Sequence, residues 1–266
     1  MSKKVAIVTG GTSGIGRATA LALQERGYTV YELSRRAEGM PDIRHIVADI
    51  TKEETLQAAV EQVLAVEGRL DLVVNNAGFG ISGAIEFTDM QEAQRLFDTL
   101  FFGMVRMNRC VIPLMRQQGR GRIVNISSVA APVPIPFQAY YSAGKAAINA
   151  YTMALANELR PFGVTVCAVM PGDIKTGFTA ARHKIIDGDD IYQGRIGRSV
   201  QRMEHDEQTG MDPAKVGRYI AAVASREGSH HPLYATRIDY KFFVFLTKVL
   251  PARFLNWLIL DRKSVV

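Results

Sequence analysis

The chain has 266 residues, 47% apolar and 22% charged, a composition that excludes a largely disordered protein and suffices for one large core. Its net charge of +6 arises from basic residues interleaved with acidic ones, which fits a solvated surface with one anionic-ligand site and argues against nucleic-acid binding. Two cysteines, Cys110 and Cys167, exclude a disulfide framework or a zinc site, and no uncharged apolar run approaches the ~18 residues of a membrane span.

The opening MSKKVAIVTGG runs straight into a strand pattern over residues 4–9 with no hydrophobic leader, so a reducing cytoplasm is the expected setting. The strand leads through Gly10, Gly14 and Gly16 into a helix near 15–26. Glycines in such a turn let a ligand approach the backbone, and the helix N-terminus offers free N–H groups to a pyrophosphate. The second strand, 28–34, ends at Ser34, Arg35 and Arg36. That position faces the adenosine ribose in a dinucleotide-binding sheet, where an arginine fork suits a 2′-phosphate. NADP(H) is therefore the expected cofactor, with NAD(H) the second possibility.

A third strand, 44–48, is closed by Asp49, placed either to cap the helix over 52–67 or to accept from the adenine amine. The fourth, 70–75, runs into Asn75-Asn76-Ala77-Gly78, a turn suited to close cofactor contact. One helix is expected over 89–118, a strand over 122–127, a helix over 141–160 and a strand over 164–170. Alternation of short β-branched runs with helices predicts a doubly wound α/β sheet, and no linker or repeat divides it.

The helix over 141–160 carries Tyr141 and Lys145 on one face at i, i+4, whereas Tyr140 points about 100° away. A nearby ammonium favours phenolate and is expected to lower the Tyr141 pKa by roughly 1–3 units. Tyr141 is thus the candidate acid–base group, and Tyr140 a packing residue. Ser128 sits at the carboxyl end of its strand, where ligands collect in open α/β sheets, so its hydroxyl can hold a carbonyl oxygen beside the phenol. Ser127, on the other strand face, is the poorer candidate.

Together TGGTSGIG, NNAG, the Ser128, Tyr141 and Lys145 set and PGDIKT at 171–176 resemble the short-chain dehydrogenase/reductase family over residues 5 to about 176. The resemblance implies a single-domain Rossmann fold, with a seven-stranded parallel sheet in order 3-2-1-4-5-6-7 and helices on both faces. It makes Tyr141 the catalytic acid/base, Ser128 the residue that polarises the substrate oxygen, and Lys145 a ligand of the nicotinamide ribose. Cofactor contacts are expected from Gly10, Thr12, Ser13, Gly14, Ile15 and Gly16. Others are expected from Ser34, Arg35, Arg36, Asp49 and Ile50, then Asn76, Ala77 and Gly78, and finally Pro171, Gly172, Ile174 and Thr176. A homodimer or homotetramer is implied as well.

Two positions depart from the family. Gly144 replaces a small polar residue, and a mid-helix glycine costs about 1 kcal/mol without removing a catalytic atom. Leu100 in FDTLFFG stands where the family places an Asn that supports a proton relay, and Asn108 lies two turns on, too far to substitute. Leu100→Asn is expected to be tolerated. The chain thus reads as an NADP(H)-dependent carbonyl reductase or alcohol dehydrogenase, against the alternative of a non-catalytic cofactor sensor that Leu100 alone suggests.

Apolar candidate pocket walls, Phe79, Ile81, Val133, Phe137 and Phe178, fit a bulky apolar substrate, ring systems included, and a likeness to hydroxysteroid and retinol dehydrogenases. Residues 176–212 occupy the place of a substrate-loop lid. The apolar segment 241–262 reads as a helical extension interrupted by Pro251, with a stripe of Phe242, Phe245, Leu246 and Val249. That stripe is either buried against protein or makes a weak peripheral membrane contact, with Trp257 as an interfacial residue.

Overall fold

A computed structural model describes residues 3–226 and 231–263, residues 258–263 as backbone only. One parallel sheet comprises β1 Val5–Thr9, β2 Thr29–Ser34, β3 Arg44–Val47, β4 Leu72–Asn75, β5 Gly121–Ile126, β6 Val164–Met170 and β7 Leu233–Ala235. Its order is 3-2-1-4-5-6-7, as the resemblance implied. The helices are α1 Gly14–Glu25, α2 Glu53–Glu67, α3 Met90–Phe97, α4 Gly103–Gln118, α5 Ala139–Leu159, α6 Phe178–Ala181, α7 Arg195–Gln208, α8 Pro213–Ser225, α9 Ile238–Val249 and α10 Ala252–Lys263.

Successive residues of a strand point to opposite faces, so β1 feeds two cores. Val5 and Ile7 pack with Leu56, Val60, Met107 and Leu155 from α2, α4 and α5. Ala6 and Val8 pack with Ala20, Leu23, Val216 and Ile220 from α1 and α8. The last pair of helices is held close by Gly217, where a Cβ would fall 2.4 Å from the Ala18 backbone. Asp212 caps α8 by accepting from the Ala214 N–H at 2.8 Å, and Pro213 occupies its first turn.

Periodicity predicts one helix over 89–118, but a π-turn at Asp98–Phe102 separates α3 from α4. The extra residue shifts the helical phase. Gly103 permits the new direction, since a Cβ there would lie 2.6 Å from the Ile50 side chain. Leu100 is 2% exposed and packs with Ile81, Leu96 and Ile185. A Cβ added at Gly78 would fall 2.4 Å from a Leu100 methyl, and one at Gly144 would lie 3.6 Å from the other. The two family departures are therefore neighbours. Tolerance of Leu100→Asn is not what this packing supports, because the amide would be buried among apolar side chains. A loss of about 2–4 kcal/mol is expected, read as a lower denaturation midpoint, and an unchanged midpoint would contradict this packing.

The polar segment 176–212 holds α6 and α7 as well as connecting turns. On α7, Ile196, Val200 and Met203 are buried at helical spacing. The short strand pair Ile81–Ser82 with His183–Lys184 ties the start of this segment to the chain that follows the NNAG turn. At the far end, α9 and α10 flank Pro251. Phe242, Phe245 and Val249 are 58%, 56% and 55% exposed, so most of the expected stripe faces solvent. Among the described residues, no helix is long and apolar enough to cross a membrane.

Candidate active site

The carboxyl ends of β1, β4, β5 and β6 converge on one edge of the sheet. After β1, Gly10 and Gly14 take φ of +66° and +54°, a region that favours glycine. A Cβ on Gly16 would sit 2.3 Å from the Gly10 carbonyl oxygen and 2.4 Å from Asn76 Nδ2. Asn76 Nδ2 donates to the Thr9 and Gly10 carbonyls at 3.0 and 3.2 Å. In return, Thr9 Oγ1 accepts from the Asn76 and Ala77 N–H groups at 3.0 and 3.1 Å. The glycine turn and the NNAG turn are thus one braced unit. Ser13 is the N-cap of α1 but makes no side-chain capping bond, which keeps the helix N–H groups for a ligand. Thr12 is half-buried beside it, whereas Ile15 packs into the core with α8 residues.

At the end of β2, the Ser34 hydroxyl interacts with the Glu32 carboxyl two residues back, and Arg35 and Arg36 are exposed beyond it. Asp49 Oδ1 accepts from the Thr51 N–H at 2.9 Å and the Thr51 hydroxyl at 2.8 Å. Burial alone would raise its pKa, but these bonds and the Arg35 charge hold it below the ordinary value. Asp49 thus braces the turn before α2 without capping the helix, whose N-cap is Lys52 and carries no side-chain capping bond. The cradle fits a dinucleotide: space only glycine allows, free helix N–H groups, and two exposed arginines at the end of β2.

Ser128 follows β5, and its Oγ accepts from the Ala130 N–H at 3.1 Å. Tyr141 stands in the first turns of α5, bonded to the Ser128 hydroxyl, with its ring 5.9 Å from that of Phe178. Lys145 is 5% exposed, and its Nζ donates to the Ile126 carbonyl at 2.7 Å and lies 5.6 Å from the Tyr141 ring centre. Ser127 donates instead to the Lys145 carbonyl at 3.0 Å. The Tyr140 hydroxyl reaches instead the Ile85 carbonyl at 3.5 Å and Met90 Sδ at 3.9 Å.

The expected lowering of the Tyr141 pKa is reversed. Burial pushes it up to about 12, against the Ser128 bond that lowers it. Burial also drives Lys145 down to about 7. For Tyr141 desolvation outweighs both the Ser128 hydroxyl and the Arg182 charge, the two influences that lower it. Tyr141 therefore keeps its proton at neutral pH, as an acid should.

The PGDIKT turn closes the site. Pro171 accepts from the Val129 N–H at 2.9 Å, and Thr176 Cβ lies 3.5 Å from where a Cβ on Gly14 would stand. Gly172 is covered by Tyr240 of α9, whose ring would lie 2.0 Å from an added Cβ and whose hydroxyl accepts from the Asp173 N–H at 3.1 Å. Ile174 is in the core, bridged to Met211, and Ile50 packs on Gly103, so both support the site from behind. Phe79 and Ile81 join the cluster around Tyr141. Phe137 packs against Tyr192 at 5.7 Å and against α7 residues instead, and Val133 is half-buried in the loop before α5.

Sequence reasoning missed Arg182 and Glu207. Arg182 is 5% exposed, ion-paired to Glu207, and stacked 5.6 Å over Phe178. They lie in the polar 176–212 stretch, where no motif marks them. Tyr240 was also missed, since it reads as one more aromatic of the tail.

Residues 4–185 match the short chain dehydrogenase family, and the chain belongs to it. It is an oxidoreductase acting on carbonyl and alcohol groups. A 3-ketodihydrosphingosine reductase of Bacteroides thetaiotaomicron is 38% identical over 261 residues, covering 97% of this chain and 94% of the relative. An NADPH-dependent 1-acyldihydroxyacetone phosphate reductase of Schizosaccharomyces pombe is 32% identical over 182 residues, 66% of this chain and 61% of that protein. Among solved structures, a short-chain dehydrogenase from Streptomyces avermitilis aligns over 100% of both chains with a TM-score of 0.83 and 33% identity.

Proposed function

We propose that the protein reduces the ketone of a long-chain, lipid-like substrate with NADPH. The observation that carries this reading is Tyr141: a half-buried phenol that holds its proton, beside Ser128 and Lys145. When bound, NADPH supplies the hydride. Ser128 positions the carbonyl oxygen, Tyr141 delivers a proton to it, and Lys145 fixes the nicotinamide ribose. Phe178 and the Leu100 cluster exclude water around the phenol.

A linear substrate is favoured over the steroid- or retinoid-like one suggested by the apolar walls. Two of the similar proteins are named for lipid ketones, and the chain around the short strand pair exposes Ile85, Met90, Ile186 and Ile191, an apolar rim for an alkyl chain. Segment 176–212, with Arg182 and Glu207 fastening α6 to α7, serves as the lid over it. Incubation with NADPH and 3-ketodihydrosphingosine, a steroid ketone or retinal tests the choice. Consumption of NADPH with the linear ketone alone supports it, and turnover of only the cyclic substrates rejects it.

Arg35 and Arg36, exposed at the end of β2, support NADPH over NADH. Replacing both arginines by alanine should raise KM for NADPH by about tenfold or more and leave that for NADH within about twofold. Equal KM values for the two cofactors in the unaltered protein would reject this preference. The free thiols of Cys110 and Cys167 suit a cytoplasmic setting, and the exposed Phe102 and Met153 are available to a homodimer or homotetramer.

The solvent-facing side of α9 supports a peripheral membrane contact. It carries Ile238, Phe242, Phe245 and Val249 with Lys241 and Lys248 alongside, and α10 adds Arg253, Phe254 and Trp257. Apolar side chains flanked by cations suit an anionic bilayer. Tyr240 joins the same helix to the Gly172 turn, which would bring the active site to the lipid surface. The chain should co-sediment with vesicles containing phosphatidylglycerol. The double substitution Phe242→Ser and Phe245→Ser should weaken this by about tenfold while activity on a water-soluble ketone persists. Protein left wholly in the supernatant contradicts the contact, as does a stripe whose loss breaks an oligomer instead.

A further inference from the structure

The middle of β2 carries a carboxylate in an otherwise core-forming strand. Glu32 is fully buried between Tyr31 and Leu33, both in the core. It pairs with His45, its register partner on β3, through Oε1 and Nδ1, and the Ser34 hydroxyl also interacts with its carboxyl. His45 Nε2 lies 2.9 Å from the Arg36 carbonyl oxygen. A carbonyl only accepts, so Nε2 carries a proton, and Nδ1 and Oε1 share one more between them. Whichever of the two atoms holds it, the pair has no net charge. Burial pushes the Glu32 carboxyl above its ordinary range, against the lowering effect of His45.

Two glycines press on this pair. A Cβ on Gly11, in the glycine turn, would fall 2.6 Å from Glu32 Cβ, and one on Gly39 would fall 2.3 Å from His45 Cβ. The pair therefore lies between the glycine turn and the loop that carries Arg35 and Arg36, and His45 holds that loop by its backbone.

We propose that the Glu32–His45 pair sets the preference for a 2′-phosphorylated nucleotide, by fixing the Arg36 backbone and by keeping the buried carboxylate neutralised beneath the phosphate. This rests on the NADPH reading above and adds to it a positioning pair behind the two arginines. Without His45, Glu32 stands as a lone buried carboxylate. It repels a 2′-phosphate but accepts from a 2′-hydroxyl, so the loss falls on one class of nucleotide.

Calorimetric titration of the full chain with 2′,5′-ADP and with ADP reads the pair directly, without turnover. The unaltered protein should bind 2′,5′-ADP more tightly than ADP. His45→Ala should weaken 2′,5′-ADP binding on the order of tenfold and leave ADP within about twofold. Adding Glu32→Gln to His45→Ala should recover most of the loss, because no buried charge then remains. In steady state, the single variant should raise KM for NADPH with little change in kcat. Equal weakening of both nucleotides, no weakening, or no rescue by Glu32→Gln overturns the proposal while the preference for 2′,5′-ADP in the unaltered protein keeps the NADPH reading. Equal binding of both nucleotides by the unaltered protein removes that reading and this proposal with it.

Discussion

Tyr141→Phe should slow carbonyl reduction by about 10²–10⁴-fold, the range of a lost general acid, and leave NADPH affinity within about twofold. The phenyl ring still packs against Phe178 and the Leu100 cluster, so only the proton donor and its bond to Ser128 disappear. Tyr140→Phe is the internal control. That hydroxyl makes only long contacts, with the Ile85 carbonyl and Met90 Sδ, and its removal should cost less than about threefold. Parallel rates and NADPH titrations of the two variants check the assignment. Robust reduction by Tyr141→Phe, or a large loss only in Tyr140→Phe, would mean that another group donates the proton.

Lys145→Met should nearly abolish turnover and at the same time stabilise the folded chain at acidic pH. Burial holds Lys145 at a pKa of about 7 in the folded protein, whereas an unfolded lysine titrates near 10.4. Between those values the unfolded chain binds a proton that the folded chain does not, so stability rises with pH across this window. Below about pH 7 the desolvation cost of the ammonium is fully present. Methionine removes that cost, and the variant loses only the bond to the Ile126 carbonyl. A net gain of about 1–3 kcal/mol at pH 6 is expected, shrinking to nothing or reversing by pH 10. Denaturant melts at the two pH values check the sign. A variant less stable at pH 6 than at pH 10, relative to the parent, would show that the ammonium is well solvated or paired.

The fold was legible wherever a strand is long and buried on both faces. β1, β2, β4, β5 and β6 read as apolar runs, and their ends mark the site. β7 did not, because Leu233–Ala235 is three residues long and pairs only with β6. The single helix expected over 89–118 failed at Asp98–Phe102, since a π-turn leaves the residue types unchanged and alters only their phase. The i, i+4 spacing of Tyr141 and Lys145 identified the tyrosine whose ring lies beside Lys145, because helical geometry alone decides which side chains share a face. The direction of the Tyr141 pKa was beyond that argument. It depends on how much water the pocket excludes, and Leu100 and Phe178 come from distant parts of the chain. Glu32 drew no notice within its strand, because its partner His45 becomes a neighbour only through strand pairing.

The most direct test of an NADPH-dependent carbonyl reductase follows the hydride itself. The protein is incubated with NADPH deuterated at the transferred position of nicotinamide C4 and with 3-ketodihydrosphingosine, and the product is read by mass spectrometry. Deuterium on the new carbinol carbon, formed by the unaltered chain and lost in Tyr141→Phe, is the predicted result. Intact ketone and unconsumed NADPH, in a preparation that binds the cofactor, would contradict it.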